Sequence, residues 1–303
     1  MPLYIRRLPA SDKHTIVPSS GGQMTFFNPS RAGDTVYVRV TEFVQGGLTQ
    51  KNKALMYDVP SKKTSFVETP WNQLMPTVNL FQGIEDLRIC YWKGTLWFAG
   101  TTTHASAEMT NELIVGYFNP SVTEVAFVTA VDIGSLPVKN VCPFVWNEEL
   151  CLWDTFKRCV YRVNYTPANT ESTPSITAET VQTFTMGPGL PDTQYRGSTS
   201  PVHLHGSIWG CVVHDIIFND TPAITFRLSY IHHWMEFDIE RGQITFISQP
   251  FFIAHWGIEY VSGIHVCDPS NPDKITLYVG VEDKNALECH TRLQDLRFGK
   301  AVR

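Results

Sequence analysis

The sequence predicts an all-β protein built as a five-bladed β-propeller, and three observations support this fold class. Helical periodicity is hard to find, whereas short runs of β-branched and aromatic residues, bounded by Gly, Pro, Asn or Asp, occur along the whole chain. A polar residue at the start of a strand recurs with a period near sixty residues. Five units of that size account for all 303 residues, and a four-stranded blade needs about 40–50 residues, or more with longer loops. A β-sandwich would also contain many short strands, but it would not explain so long a period.

Individual strands can be read from the apolar runs. Each run is short and ends at turn-forming residues, which is typical of strands that bury one or both faces. In chain order the clearest runs are TVYVRVTEFV from residue 35, TLWFAGTTT from 95, ELIVGYF from 112, GCVVHDIIF from 210, ITFISQPFFI from 244 and KITLYVGVED from 274. We therefore expect strands to dominate every part of the chain.

The repeat is carried by polar residues that precede an inner strand. Successive members are separated by 58, 54, 60 and 59 residues. In a propeller the innermost strand of each blade lines the axis, and the loops at one end converge on a central pocket. We therefore expect these side chains to gather at one axial pocket. The five positions are Asn28, Asp86, Asn140, Ser200 and Glu259.

One segment departs from the strand pattern. Residues 164–194, NYTPANTESTPSITAETVQTFTMGPGLPDTQ, are poor in large apolar side chains and rich in Thr, Pro and Ser. We interpret this segment as a surface excursion between the third and fourth blades of a single domain that spans residues 1–303. A linker between two domains is the alternative.

The bulk composition argues against several classes of partner. The formal net charge is −5, and Lys and Arg do not form long runs, so the electrostatic footprint of a nucleic-acid or anionic-membrane binder is missing. The first residues, MPLYIRRLPASDK, lack the apolar centre of a signal peptide, and no run of 18 apolar residues occurs. The seven cysteines form an odd set without C-x-x-C spacing and are interpreted as buried thiols. We expect a cytoplasmic protein without membrane insertion.

The octet GIEDLRIC (83–90) places two carboxylates and an arginine at the start of an otherwise apolar strand. Burying a charge without a partner is costly, so these side chains either pair with each other or serve a site. One interpretation is a structural ion pair in which Arg88 locks neighbouring blades. The other is an active or binding site. Both can hold at once, because Glu85 and Asp86 point to opposite faces of a strand.

An ordered series of short motifs carries a resemblance to a known family. After FNPS (27–30) and GIEDLR come RGSTSP (196–201), VHD (213–215), YIHH (230–233), ISQPF (247–251), GIE (257–259) and GVED (280–283). In this order and spacing the chain resembles the five-bladed propellers of glycoside hydrolase family 130, the mannoside phosphorylases and related hydrolases, and their relatives found alongside glycosyltransferases. The resemblance covers residues 27 to about 290.

The resemblance implies roles for particular residues. Asp86 matches the proton donor of the family's E-D-P-R motif, and Arg88 matches its arginine. The E-K-N-W motif, implicated in phosphate and sugar contacts, falls on Val138-Lys139-Asn140-Val141. This chain departs from the family pattern at Leu87 in place of proline, at the missing Glu and Trp around Lys139, and at His233 in place of an arginine. A phosphate site without one of its arginines binds more weakly, so the use of phosphate is left open.

The chemistry of an inverting phosphorylase fits the types of residue present. Such an enzyme needs one acid for the leaving oxygen and a set of donors for a phosphate dianion, whereas an inverting hydrolase needs an acid and a base. Arg39 adds to the donors at strand starts and ends. We predict Asp86 as the catalytic acid. The predicted substrate-binding residues are Asn28, Glu85, Asn140, Tyr230, Trp256, Glu259 and Asp283, and the predicted phosphate-binding residues are Arg88, Lys139, Arg196, His214 and His232.

The predicted function is cleavage or formation of a glycosidic bond at an axial pocket, by inverting phosphorolysis or transfer of mannose or a similar hexose. No cofactor is expected beyond inorganic phosphate or a sugar phosphate as co-substrate. The expected partner is a small carbohydrate or glycan, and self-association or a glycosyltransferase partner is left open. A non-catalytic glycan-binding or scaffold propeller is the competing interpretation, and a purely structural role in an assembly is a third.

Other chemistries have weaker support. His203 and His205 would share one strand face, but no third ligand lies at zinc-binding spacing. The His214-Asp215 pair lacks the G-x-S-x-G motif of a serine nucleophile. The chain contains no G-x-x-x-x-G-K-[ST], G-x-G-x-x-G or H-E-x-x-H motif, so nucleotide cofactors and zincin chemistry are not predicted.

Overall fold

The structure is a computed structural model, and it describes most of the chain as β-strands. The described ranges are residues 5–8, 12–17, 24–44, 49–67, 81–102, 111–134, 139–168, 173–218, 228–254, 257–268 and 270–297. Trp256 and Val138, both named above, lie outside these ranges. Within them, no helix is long and apolar enough to span a membrane.

The strands are numbered in chain order. The first group is β1 (Arg6–Arg7), β2 (Asp12–Val17), β3 (Met24–Ala32), β4 (Thr35–Val44), β5 (Thr49–Asp58), β6 (Lys63–Val67), β7 (Phe81–Gln82), β8 (Glu85–Trp92) and β9 (Thr95–Thr102). The second is β10 (Glu112–Phe118), β11 (Val125–Ala130), β12 (Cys142–Trp146), β13 (Glu149–Asp154), β14 (Cys159–Thr166), β15 (Ser175–Thr183), β16 (Thr185–Met186) and β17 (Arg196–Gly197). The third is β18 (Val202–His205), β19 (Ile208–Phe218), β20 (Leu228–Asp238), β21 (Gln243–Ile247), β22 (Phe251–Phe252), β23 (Glu259–Val266), β24 (Lys274–Val281) and β25 (Asn285–Arg292), followed by helix α1 (Leu293–Arg297).

Hydrogen bonding arranges these strands in five sheets. Four sheets contain an antiparallel meander of four strands, which is the build of a propeller blade. We call them blade 1 (β3–β6, with β7 beside β5), blade 2 (β8–β11), blade 3 (β12–β15) and blade 4 (β23–β25 with β2). The remaining strands, β1 and β16–β22, form one eight-stranded sheet, and β16–β22 lie between blades 3 and 4 in the chain.

The prediction of an all-β propeller is confirmed, but the predicted number of blades is wrong, since four blades are regular rather than five. The long central pair of the eight-stranded sheet, β19 and β20, is flanked by broken strands. Pro201 separates β17 from β18 on one side, and Pro250 separates β21 from β22 on the other. Proline lacks the N–H that a continuous strand ladder requires, so both flanks are interrupted there.

Apolar contacts between neighbouring sheets close the sheets into a ring. Blade 1 shares one core cluster with blade 2 and another with blade 4. Blade 3 shares one with blade 2 and one with the eight-stranded sheet, which in turn shares one with blade 4. The middle strands are therefore covered on both faces, which explains why runs such as ELIVGYF are almost uniformly apolar.

The two ends of the described chain take part in closing the ring. Strand β2 pairs antiparallel with β25 and completes blade 4 from the N-terminal side. Strand β1 pairs with β22 of the eight-stranded sheet, and the Arg6 guanidinium donates hydrogen bonds to the carbonyl oxygens of Asp295 (2.6 Å) and Leu296 (3.1 Å). Arg297 forms a two-pronged ion pair with Glu236 of β20. These contacts fasten α1 to the ring.

The predicted surface excursion at 164–194 is corrected by the structure. Residues Ser175–Thr183 form β15, the outer strand of blade 3, which pairs with β14 along its whole length. An outer strand buries little of either face, so its polar sequence resembles that of a loop. Two thiol environments also differ from expectation, since Cys267 is exposed and Cys90 is half-buried, while the other five cysteines are buried.

Candidate active site

The site is built on a left-handed backbone conformation that recurs in, or just before, three inner strands. Asn28, Asp86 and Asn140 all have left-handed backbone conformations, with φ of 49°, 52° and 61°. Asn and Asp adopt this conformation more easily than other residues with a side chain. At Asn28 and Asp86 it coincides with a β-bulge, in β3 between Phe27 and Ser30 and in β8 between Glu85 and Arg88. A bulge redirects a side chain out of the ladder, and here it redirects these side chains toward each other.

Asp86 lies at the centre of the resulting cluster. Its Oδ1 accepts a hydrogen bond from Asn28 Nδ2 at 2.7 Å and another from Arg39 Nη1 at 2.9 Å. Asn28 and Asp86 are 58 residues apart, so two successive units of the repeat meet directly, as the repeat predicted. The Asp86 side chain keeps 22% exposure, which leaves part of its carboxylate open to a ligand.

Arg39 holds the two carboxylates of the GIEDLRIC octet together. Its guanidinium reaches Glu85 Oε1 at 3.4 Å as well as Asp86, and it stacks over the Phe27 ring at 4.9 Å. Arg39 Nε donates to Asn52 Oδ1 at 3.0 Å, and Thr41 Oγ1 donates to the same oxygen at 3.0 Å. Arg39 is buried, so its charge is fixed in place and screened little by solvent.

The pKa values of two carboxylates in this region shift in opposite directions. Burial is the largest influence on Asp86 and acts to raise its pKa, but the charges of Arg39 and Arg88 and the hydrogen bonds from Asn28 and Arg39 outweigh burial and lower it. Asp283 is exposed, yet partial desolvation of its carboxyl group raises its pKa, and the negative charges of Asp86 and Glu85 raise it further against the opposing charge of Arg39. Asp86 is therefore ionised at rest, while Asp283 holds a proton more readily than an ordinary aspartate.

Tyr230, His214 and Tyr260 form an aromatic wall beside the carboxylates. The His214 ring lies edge-on to both tyrosines, with centroids 5.3 Å and 5.2 Å away. Burial lowers the pKa of His214 well below its usual value, and the neighbouring cations lower it further, so the ring is neutral at physiological pH. His214 Nδ1 is hydrogen-bonded to Ser198 Oγ at 2.9 Å. Burial also raises the pKa of Tyr230, with Asp283 and Asp86 adding to the effect, which keeps its hydroxyl protonated.

The structure places Arg88 away from its predicted role in phosphate binding. The side chain is fully buried, with Nε donating to Ser198 O at 2.7 Å, Nη1 to Asp86 O at 2.7 Å and Nη2 to Tyr260 Oη at 2.5 Å. Tyr260 Oη in turn donates to Gly197 O at 3.2 Å. Arg88 therefore ties blade 2 to the eight-stranded sheet and to blade 4, as the structural interpretation expected, and it also holds the backbone of Asp86.

Glu259 and His232 are also removed from the predicted site. Glu259 is fully buried and accepts hydrogen bonds from the backbone N–H groups of Ile253 at 2.6 Å and Ala254 at 2.5 Å. His232 is fully buried and lies 3.6 Å from Glu259. Burial, with the neighbouring His233, lowers the pKa of His232 to about 3. Glu259 holds the 253–254 segment, His232 lies against the Phe251 ring, and both side chains are closed to a sugar or phosphate.

The cations that stay open to a ligand are Lys139 and Arg196. Both are exposed, and Arg196 lies opposite His214 in the β17–β19 pair. Asn140 is half-buried beside Gly197, whose added Cβ would lie 2.3 Å from Asn140 O. The structure thus brings Asn28, Glu85, Asp86, Tyr230 and Asp283 into one electrostatic neighbourhood with Arg196 at its edge.

Sequence reasoning did not assign Asn52, Tyr260 or Ser198 to the site. In the structure Asn52 pairs directly with Thr41 across β4 and β5, near the Arg39–Ala54 pair. The first half of β5 reads TQKNK, so the polar side chain of Asn52 does not stand out in the sequence. Among the described residues, no group of three or more His, Cys, Asp or Glu side chains is arranged to hold a metal ion.

Comparison with solved structures finds the same fold in several other proteins. The chain is similar to a mannose phosphorylase from Leishmania mexicana solved with phosphate (TM-score 0.59, 11% identity, 95% of this chain and 89% of that one). It is also similar to a GDP-Man-dependent mannosyltransferase from the same organism (TM-score 0.60, 10% identity, 96% and 93%) and to a glycosyl hydrolase from Bacteroides ovatus (TM-score 0.58, 10% identity, 95% and 94%). At these identities the likeness establishes a shared fold. The sequence matches no protein-family model and no curated protein.

Proposed function

We propose that this protein transfers a hexosyl group, such as mannose, between a sugar phosphate and an acceptor hydroxyl, with inversion at the anomeric carbon. The observation that carries the proposal is the ionised, partly open carboxylate of Asp86, fixed by Arg39 and Asn28 in a site edged by the exposed cation Arg196. The activities of the similar structures, a mannose phosphorylase and a mannosyltransferase, support the same class of reaction.

The ionised state of Asp86 favours formation of the glycosidic bond over its phosphorolysis as the reaction that begins from the resting site. Because its pKa is lowered, Asp86 is ionised, and an ionised carboxylate can accept the proton of the acceptor hydroxyl. The acceptor oxygen then attacks the anomeric carbon, the bond from that carbon to the phosphate oxygen breaks, and the phosphate leaves with the bonding electrons. In the reverse reaction, phosphorolysis, protonated Asp86 returns the proton to the glycosidic oxygen.

The phosphate group would lie against Arg196 and Lys139. Both are exposed cations, and a phosphate dianion is best held by charged donors. Tyr230 adds a hydroxyl that stays protonated and can donate a hydrogen bond. Arg88 and His232, which are buried, have no part in this proposal.

Inverting hydrolysis is a second candidate, and the opposite pKa shifts of Asp86 and Asp283 favour it. A hydrolase of this type requires one carboxylate as the base that activates water and another as the acid for the leaving group. Asp86 would be the base and Asp283 the acid. In that reaction Asp283→Asn abolishes activity and phosphate is not needed.

The experiment is to incubate the protein with mannose 1-phosphate and a panel of acceptor sugars, and to measure released phosphate. Release that disappears in Asp86→Asn and persists in Asp34→Asn, a change at an exposed carboxylate outside the site, supports transfer. Hydrolysis of aryl mannosides without phosphate supports the second candidate. No turnover with any donor, together with saturable thermal stabilisation by glycans, would contradict both transfer and hydrolysis and would support a non-catalytic glycan binder.

A further inference from the structure

A cavity lies near the candidate site, between blade 3 and the eight-stranded sheet. Its volume is about 700 Å³, and it is lined by Phe156, Lys157 and Arg158 of the turn between β13 and β14, by Phe184 between β15 and β16, and by Asp192 and Gln194 of the segment before β17. Pockets for small molecules commonly have volumes of about 300–1,000 Å³. We call this cavity the side groove.

The side groove begins where the candidate site ends. Phe156 follows Thr155, and a Cβ added to Gly197 would lie 3.2 Å from Thr155 Oγ1. On the other wall, Gln194 is two residues before Arg196, and both are exposed while Tyr195 between them is buried. The groove therefore leads outward from the place where Arg196 would hold phosphate.

Both walls of the groove are fixed by hydrogen bonds. The Asp154 carboxylate accepts from Lys157 N at 3.1 Å, and Arg158 O accepts from Phe184 N at 2.9 Å. Gly187 N donates to Ile244 O at 2.8 Å, and Arg158 Nη2 bridges to Asp192 Oδ1 at 2.6 Å. A cavity with fixed walls binds a ligand without first paying to order itself.

The chemistry of the lining favours a neutral polar ligand with apolar faces. Phe184 packs edge-on against Trp153 and Phe237, which gives the groove a rigid aromatic base, and Phe156 is half-buried at the wall. The two cations are already engaged, since Lys157 Nζ donates to Ile133 O at 3.1 Å and Arg158 pairs with Asp192. An anion would find little unpaired charge there, whereas a sugar ring can place its C–H face on an aromatic ring and its hydroxyls on Gln194 and Asp192.

We propose that the side groove binds the neutral oligosaccharide part of the acceptor, beyond the sugar unit that reacts at Asp86. The proposal rests on the proposed function for the meaning of acceptor, but glycan binding in the groove can be measured without turnover. It predicts that this protein prefers an acceptor of several sugar units to a single sugar.

The test measures binding by calorimetry, with no donor present, for mannotetraose, cellotetraose and xylotetraose and for their monosaccharides. At least one tetrasaccharide should bind roughly tenfold more tightly than its monosaccharide, which corresponds to about 1.4 kcal/mol. Phe156→Ala should remove most of that advantage and leave monosaccharide affinity unchanged. Gln194→Ala provides a second variant at an exposed side chain that the fold does not need, and Phe66→Ala removes an exposed ring far from the groove as the matched control.

The outcomes separate the groove from the reaction. If no tetrasaccharide has an advantage, or if the advantage survives both groove variants, the proposal is overturned. If GDP binds in a Phe156-dependent way while no glycan does, the groove is a nucleotide site and the proposal is also overturned. A glycan advantage that depends on Phe156, in a protein that releases no phosphate from any donor, upholds the groove and rejects the transferase. Phosphate release with monosaccharide acceptors, without a chain-length advantage in binding, upholds the transferase and overturns the proposal for the groove.

Discussion

At the scale of single residues, the candidate site depends on one buried arginine that neutralises two acids. Arg39 reaches Glu85 and Asp86 at once and is itself held by Asn52 and Phe27. Without Arg39, burial would raise the pKa of Asp86, because a buried carboxylate loses the hydration that favours its charged form. Arg39 therefore helps to keep Asp86 ionised, together with the charge of Arg88 and the hydrogen bond from Asn28.

Arg39→Met should move the acidic limb of the activity–pH profile upward. Burial raises the pKa of Asp86, and the variant removes the strongest charge that opposes burial. An arginine next to an aspartate typically lowers its pKa by about 1–3, so the midpoint should rise by roughly one pH unit or more. The measurement is the pH dependence of kcat/KM. Arg162→Met, which removes an exposed arginine paired with Glu149 and Glu179, should leave the midpoint in place, and an unmoved midpoint in Arg39→Met would remove Asp86 as the group that titrates.

Asp86→Asn should lower stability most near neutral pH. The folded pKa of Asp86 lies below its unfolded value, so its ionised form contributes stability above the unfolded pKa of about 3.9, and this contribution is lost as the pH falls through the folded pKa. We expect a loss of about 1–3 kcal/mol in the free energy of unfolding, because Arg39 is left with Glu85 alone. Urea unfolding at neutral pH and near pH 3 measures this loss, and a difference that grew on acidification would contradict the assignment.

At the scale of elements, the β-bulges of β3 and β8 bring together side chains from different sheets. Asn28 lies so close to β24 that a Cβ added to Gly280 would be 2.1 Å from Asn28 Oδ1 and 2.8 Å from its N. Position 280 therefore requires glycine because Asn28 approaches its backbone closely, and not because of a special backbone angle. The contact links the last blade to Asp86 through Asn28.

Gly280→Ala should displace Asn28 and weaken both the fold and the site. We expect about 1–3 kcal/mol of destabilisation from overpacking, together with a fall in kcat/KM, since Asp86 loses a hydrogen-bond donor. Thermal unfolding and phosphate release measure the two effects. Asn28→Ala should reproduce the loss of activity without the overpacking, and full activity in both variants would show that Asn28 does not position Asp86.

The sequence predicted elements well where packing dictates the pattern. Strands β4 and β10 occupy the residues expected from their apolar runs, since strands buried on both faces have few alternatives. β15 was missed because an outer strand with little burial has no distinctive periodicity. The breaks at Pro201 and Pro250 changed the blade count because spacing along the chain carries no information on which strands pair.

The sequence located the candidate site only in part, for a related reason. Asn28 and Asp86 were found because both are polar at equivalent positions of the repeat, and they do meet. Arg88 and Glu259 have the same polar signature, but protein carbonyl and N–H groups occupy them. Residue type does not distinguish a charge that meets a ligand from one that meets the backbone, because both need the same complementary partners. Their burial, which separates the two cases, depends on tertiary structure.

At the scale of the whole molecule, each sheet packs on two neighbours, and one guanidinium joins three sheets near the site. Arg88 of blade 2 donates to Ser198 in the eight-stranded sheet and to Tyr260 of blade 4. The geometry of the candidate site therefore depends on the relative positions of sheets as well as on local strands.

Tyr260→Phe should lower the free energy of unfolding of the propeller, with little change in local packing. The variant leaves one buried Arg88 N–H donor and the Gly197 carbonyl acceptor without their partner, and a buried polar group left without its partner costs about 1–3 kcal/mol. Urea denaturation measures the loss. Tyr91→Phe, whose hydroxyl reaches Thr35 on the exposed surface at 3.2 Å, is the control and should change stability little; equal effects in the two variants would show that the Arg88 contact contributes no stability.

The contact between Arg6 and the carbonyl oxygens of Asp295 and Leu296 has a practical consequence for engineering. Because β1 and α1 lie side by side, a short peptide could join them. New termini could then be opened elsewhere, for instance in the exposed turn at residues 120–123 between β10 and β11. Such a circular permutant would keep every sheet, and it would allow a fluorescent protein or an affinity tag to be attached at a chosen turn of the ring of sheets.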